Sequence, residues 1–354
     1  MLFVYEEKSF HKGKTVPREF PFRGLTKPDA KTIDFPLNAE GNTYLHELCF
    51  NRASVELVRE AVVSLGADIQ ALNRKGLPPL GLAIIDGSLE TIQCLIDCGA
   101  ELYFPVGNGE FFNATAVAVF WGREDVLDLI LKNGGGLHVN RSGSDLSCLC
   151  LAVEKNRSQL IEPLAAAGAF LDQESGTAGR TALQRAALGG FPDVVEKLVK
   201  LGAKIDKPQS SNGMTALHYA VADGNRRAVE RLLKLGANPN ALTAEGLTPL
   251  MLGVNGGNAD IIALLAGARA DVNYKCAAEP KETALHRAAI KGDYDMVSAL
   301  LKNGADPLLA DAFNRTAARR ARESGNLNVA SKLEEAERAA EQALFEKAYN
   351  RLRQ

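Results

Sequence analysis

TALHYAVADGNRRAVERLLKLGANPN, residues 215–240, reads as one complete folding unit. Thr215 stands where a hydroxyl can accept a hydrogen bond from a free amide in the first turn of a helix. Ala216, Leu217 and Ala220 give that helix a small, apolar face that a neighbouring helix can approach closely. DGN at 223–225 breaks it, and AVERLLKLG then supplies an amphipathic second helix. Gly236 sits where a left-handed residue ends that helix, and ANPNALTAEG follows as a polar, hairpin-like finger.

The same unit recurs along the chain. Its openings read TYLHEL at 43, PPLGLA at 78, NATAVA at 113, SCLCLA at 147 and TALQRA at 181. They continue with TALHYA at 215, TPLMLG at 248, TALHRA at 283 and a last one at Thr316. Nine openings fall about 34 residues apart, the period of a stacked helical repeat. A glycine lies 21 residues after most of them, at Gly99, Gly134, Gly168, Gly202, Gly236 and Gly304.

These motifs resemble the ankyrin-repeat family, whose signature T-P-L-H-x-A is followed by LL-x-x-GA; TALHYA with LLKLGANPN and TALHRA with LLKNGADP are the clearest matches. The resemblance covers residues 40 to about 338. It implies an all-α solenoid of helix-turn-helix units with short β-hairpin-like fingers. Residues 1–39 form a proline-rich arm or cap, residues 40–312 hold repeats one to eight, and residues 313–354 a degenerate ninth repeat with a capping helix. Repeats three (107–140) and four (143–175) lack the Thr-Pro-Leu-His box, and Arg269 replaces the terminating glycine of repeat seven, so distortion is expected there. The stripe Leu333, Ala336, Ala340, Leu344, Ala348 and Leu352 predicts that the last helix runs past the stack.

Composition is that of a folded, soluble chain: 354 residues, 46% hydrophobic and 24% charged, with a formal charge of −2. Neither a basic balance that would point to nucleic acid nor an apolar run long enough for a membrane span occurs. MLFVYEE lacks the basic head and long apolar stretch of a signal peptide, so a cytoplasmic location is expected. The six cysteines, Cys49, Cys94, Cys98, Cys148, Cys150 and Cys276, lack zinc or CxxC spacing and read as reduced thiols. His46, His218 and His286 hold the box position, where the resemblance implies a bond to neighbouring backbone; His11 and His138 are isolated. No nucleophile elbow, zinc helix or phosphate loop is present, so neither a catalyst nor a cofactor is expected.

The resemblance implies a protein partner bound on the concave face made of first helices and fingers. Eight residues after the openings, the other positions are polar or glycine, and Trp121 alone breaks the pattern. It is the single tryptophan, and six of 22 aromatic side chains fall within 19 residues of sequence ending at it. Tyr103, Phe104, Phe111, Phe112, Phe120 and Trp121 therefore form either a binding hot spot or a core folded inward by a distorted third repeat. Four residues after later openings come Arg185, Tyr219, Arg287 and Arg320, with Lys291, Arg180 and Arg315 nearby. They would line a basic groove unless acidic neighbours such as Asp223 and Glu282 neutralise it. The expected protein is a monomeric adaptor, scaffold or inhibitor. The alternative is a secreted bacterial effector, because EEAERAAEQALFEK loosely resembles type IV secretion signals.

Overall fold

The computed structural model describes residues 30–105, 111–140, 146–278 and 280–352. Helices dominate and fall into successive pairs. The first pair is α1 (Tyr44–Phe50) and α2 (Val55–Arg59), the latter continuing into a π-helical turn at Glu60–Ser64. Next come α3 (Pro79–Asp86) with α4 (Leu89–Asp97), α5 (Ala114–Trp121) with α6 (Glu124–Lys132), and α7 (Cys148–Glu154) with α8 (Ile161–Ala166). The series continues through α9 (Ala182–Leu188) and α10 (Pro192–Lys200), α11 (Ala216–Ala222) and α12 (Arg226–Lys234), and α13 (Pro249–Gly256) and α14 (Ala259–Gly267). It ends with α15 (Ala284–Lys291) and α16 (Tyr294–Lys302), then α17 (Ala317–Glu323) and the long α18 (Leu327–Leu352). Odd-numbered helices pack on odd-numbered ones and even on even, which makes two parallel layers with one continuous core between them. The chain is an all-α solenoid.

The pattern of small residues explains the close stacking. In α11 every residue from Ala216 to Val221 is buried, and Ala220 has no exposed surface. Short first helices leave their N-terminal amides to be capped. Thr181 does this for Gln184, Thr248 for Met251 and Thr316 for Arg319. Where the third and fourth units lack threonine, Asn113 accepts from the Ala116 amide at 2.7 Å and Ser147 from the Cys150 amide at 3.2 Å. The missing box therefore does not undo α5 or α7, because any short oxygen-bearing side chain serves as the cap. Arg269 likewise takes the left-handed conformation of the glycine it replaces, with φ +67°, and the Ala270 amide still closes onto the Leu265 carbonyl at 3.0 Å. The second helix of that unit ends as the others do.

The fingers are closed mainly by backbone hydrogen bonds, as from the Thr243 amide to the Leu247 carbonyl at 3.0 Å. Among the described residues one finger forms a strand pair, β1 (Tyr103–Pro105) and β2 (Phe111–Asn113), antiparallel with Phe104 opposite Phe112. The expected N-terminal arm lies mostly outside the described residues; of its described end, Ile33 is buried against the first unit. At the other end, Leu333 is buried, whereas Leu344, Phe345 and Tyr349 are exposed, so α18 leaves the body beyond Ala340.

Candidate functional site

Two sets of polar side chains strap one unit to the next. His46, His218 and His286 each face two ways. Nδ1 of His218 accepts from the Thr215 amide at 3.1 Å, while Nε2 meets the Leu247 carbonyl of the next unit at 3.3 Å. His46 reaches the Leu77 carbonyl at 3.0 Å and His286 the Arg315 carbonyl at 2.9 Å in the same way. An imidazole that accepts an amide proton at Nδ1 must carry its own proton at Nε2, so the geometry holds the neutral ring. Burial is the main cause that pushes the pKa of all three below the ordinary 6.5. Gln184 does the same work without titrating: its Oε1 accepts from the Thr181 amide, and its Nε2 donates to the Lys207 and Met214 carbonyls at 3.0 and 3.3 Å. Sequence reading missed it, although the box position was the signal.

The second strap runs along the loops that follow the even-numbered helices. Asp172, Asp206, Asn240 and Asn273 each accept from a backbone amide one unit later, at Lys204, Asn238, Asp271 and Asp306, over 2.7–3.0 Å. Tyr103 occupies the corresponding place after Gly99 and breaks the ladder; its ring stacks on His138 at 5.1 Å instead. His138 is thus not isolated.

The aromatic cluster divides. Phe104 has no exposed surface, because alternation along β1 turns it into the core, so it is not a contact residue for a partner. Tyr103 is half-buried. The backbones of Phe111 and Phe112 form β2, and their side chains lie outside the described residues. Trp121 does not point freely into solvent as the repeat pattern predicts. It is half-buried, as is Phe120; both pack on the core edge, with their rings edge-to-face and centroids 5.7 Å apart. Lys155 places its ammonium 4.2 Å from the centre of the Phe120 ring.

The basic residues of the later units do not make a free basic groove. Arg185 pairs with Glu154 and donates to the Ser175 carbonyl at 2.6 Å. Arg320 bonds Glu282 at 2.8 Å, with Asp311 and Glu323 within 4 Å, and Arg287 lies 4.0 Å from the same Glu282. Lys291 donates to the Asn255 carbonyl at 2.7 Å. Tyr219 is buried, its hydroxyl tied to Gln209 and Asn212 and its ring under the Arg180 guanidinium, so it does not face a partner either. Arg315 chelates Asp311 at 2.8 Å, and its hydrogen bonds help hold that carboxyl below the usual range despite burial. These pairs are neutral as sets, so the attraction for an acidic segment is largely spent internally.

All six cysteines are free. Burial raises the Cys148 thiol to about 12 and pushes Cys49 further up, which leaves both protonated and unreactive at neutral pH. Among the described residues no group of His, Cys, Asp or Glu could hold a metal ion, and no helix is long and apolar enough to cross a membrane.

The comparisons with known proteins agree with this geometry. The pattern described as ankyrin repeats matches in three overlapping copies at residues 115–209, 149–243 and 207–276, and a single ankyrin repeat matches at 281–312. Over 98 residues the chain is 33% identical to the E3 ubiquitin-protein ligase KEG of Arabidopsis thaliana, a stretch that makes up 27% of this chain and 6% of that protein. Ankyrin repeats are units of protein–protein interaction. With a continuous stack of such units on both sequence and structural grounds, the chain belongs to the ankyrin-repeat family.

Proposed function

We propose that the chain is a non-enzymatic scaffold of nine units that holds a protein partner against the first-helix and finger side of the stack, centred on the third and fourth units. One observation carries the reading. At the turn after α5, Phe120 and Trp121 remain half-exposed beside the Lys155 ammonium, and Trp121 stands in a row where the other units present polar or glycine residues. Large aromatics at a partly desolvated edge are the side chains that contribute most when a partner covers them. The likeness to the plant ligase covers only 6% of that protein, so it supports a similar stretch of repeats and lends no support to ubiquitin transfer here. Ile33 packs at one end of the stack, and the first turns of α18, through Leu333, cover the other.

Photo-crosslinking tests it. A photoreactive amino acid placed at Lys155 captures a protein partner in cells, while the same group at Lys234, on the even-helix side, does not. Capture from Lys234 alone, or from neither position, overturns the proposal.

A further inference from the structure

The turns that join odd to even helices carry cations in several units, and almost all of these are used internally. Arg52 pairs with Asp86 at 2.6 Å across to the next unit. Arg123 pairs with Asp125 at 3.1 Å and reaches the Ile84 and Gly87 carbonyls. Lys291 caps the carbonyl end of α13. The tenth residue after an opening often does the same through an amide: Asn225 donates to the Leu188 carbonyl at 2.6 Å and Asn326 to the Ile290 carbonyl at 2.8 Å.

The turn after α7 is different. Arg157 stands at that tenth position but bonds no carbonyl of α5. Its side chain lies over Gly122, where an added Cβ would come within 2.7 Å of Nε, and that Nε is buried with no hydrogen-bond partner. Two residues earlier, Lys155 is exposed, and among the described residues it forms neither an ion pair nor a hydrogen bond; its ammonium rests on the Phe120 ring. The neighbouring carboxylates are committed elsewhere, Glu154 to Arg185 and Asp125 to Arg123. Two uncompensated cations therefore flank the half-exposed Phe120 and Trp121, in a turn whose equivalents are neutralised or spent on carbonyls.

We propose that this turn recognises a short acidic peptide segment: an apolar side chain covers Phe120 and Trp121 while adjacent carboxylates pair with Lys155 and Arg157. The inference rests on the scaffold reading and adds the chemistry of the partner. A carboxylate fits because neither the exposed Lys155 ammonium nor the half-buried Arg157 guanidinium has an acidic partner among the described residues, and because two cations on one edge attract it from a distance. Gly122 contributes by having no side chain, which lets the Arg157 guanidinium lie flat on the end of α5.

The test uses the full chain and a phage-displayed library of random dodecapeptides. The expected pool is enriched in Asp and Glu beside Leu or Phe, weakens with salt, and shifts the emission of Trp121 on binding. Combining Lys155→Glu with Arg157→Glu reduces affinity at least about tenfold. Because Arg157 packs on Gly122, Lys155→Gln combined with Arg157→Gln serves as the milder pair, with thermal unfolding followed to show that the fold is retained. A pool without acidic enrichment, or one indifferent to both double variants, overturns the inference. If such a pool binds without altering Trp121 emission and is lost on mutating first-helix residues of other units, the scaffold reading stands and this site falls. A library that yields no binder counts against both.

Discussion

The units from residue 181 to 316 and those from 78 to 147 share a fold but not the means of holding it together. In the later units His218, His286 and Gln184 bridge successive first helices, and an Asp/Asn ladder bridges the loops after the even helices. In the earlier stretch the box position holds Gly81 and Ala116, which offer no polar side chain, and then Cys150, whose thiol reaches the Arg180 carbonyl only at 3.8 Å. The ladder also lapses there, at Tyr103. What remains is apolar packing through Phe104, Val117, Leu127 and Ile130, with scattered polar links: Arg123 to the Ile84 and Gly87 carbonyls, Asn133 to Gln93, and Asn140 to the Phe170 amide. In a linear array each interface contributes separately, and the stretch that carries the proposed docking turn lacks the buried His or Gln strap of the later units. Binding surfaces are commonly drawn from the less stable part of a fold, because a partner can then supply part of the ordering.

Phe104→Ala removes the largest fully buried side chain of the early stretch and should cost about 3–5 kcal/mol by urea unfolding, with the loss confined to a first, separate transition. A single transition shifted as a whole would show that the stack does not divide here. His218→Ala strands the Thr215 amide and the Leu247 carbonyl and should cost about 2–3 kcal/mol in the later units. His218→Gln should recover most of that, since Gln184 already makes the same pair of bonds.

The histidine straps also predict a pH dependence with a definite sign. Burial lowers the three imidazole pKa values, so the folded chain binds fewer protons than the unfolded chain once pH falls below about 6.5. Their contribution is complete above that pH and is lost as pH falls toward the folded values. Urea midpoints measured between pH 7.5 and 5 should decline, and His218→Gln should flatten the decline. A midpoint that rises on acidification would contradict the neutral-ring assignment.

Smaller effects come from the ends of helices. Asn113→Ala removes the cap of α5 and should cost about 1 kcal/mol, with no compensation from a neighbouring strap. Arg269→Gly relieves a left-handed arginine and should stabilise by about 0.5–1 kcal/mol, seen as a small rise in Tm. A loss of stability on that change would mean the arginine side chain holds a contact worth more than its backbone strain.

Much of the solenoid was legible because its grammar is local. A cap, an alanine-rich face, a breaker and a terminating glycine fall within one unit, and the repeat then multiplies the signal. The Arg269 and Asn113 units looked irregular in sequence yet keep the geometry, because a positive φ and a capping oxygen can each be supplied by more than one residue type. The candidate site was less legible, because exposure there depends on partners a full unit away. Glu154 and Arg185 are 31 residues apart, and Glu282 and Arg320 are 38 apart. A row of arginines therefore left both a basic groove and neutralisation by acidic neighbours open, and only the fold shows which carboxylate meets which arginine. Phe104 was misplaced for a simpler reason: in an extended pair such as Tyr103 and Phe104, consecutive side chains point to opposite faces, and counting aromatics ignores that.

Native-state hydrogen exchange tests the contrast most directly, by comparing amides of α5 with those of α11 in the same molecule. The α5 amides are expected to exchange through openings of clearly lower free energy, at least about tenfold faster at neutral pH, and lowering the pH should narrow the gap as the His218 strap weakens. Equal protection of the two helices, or slower exchange in α5, would contradict it.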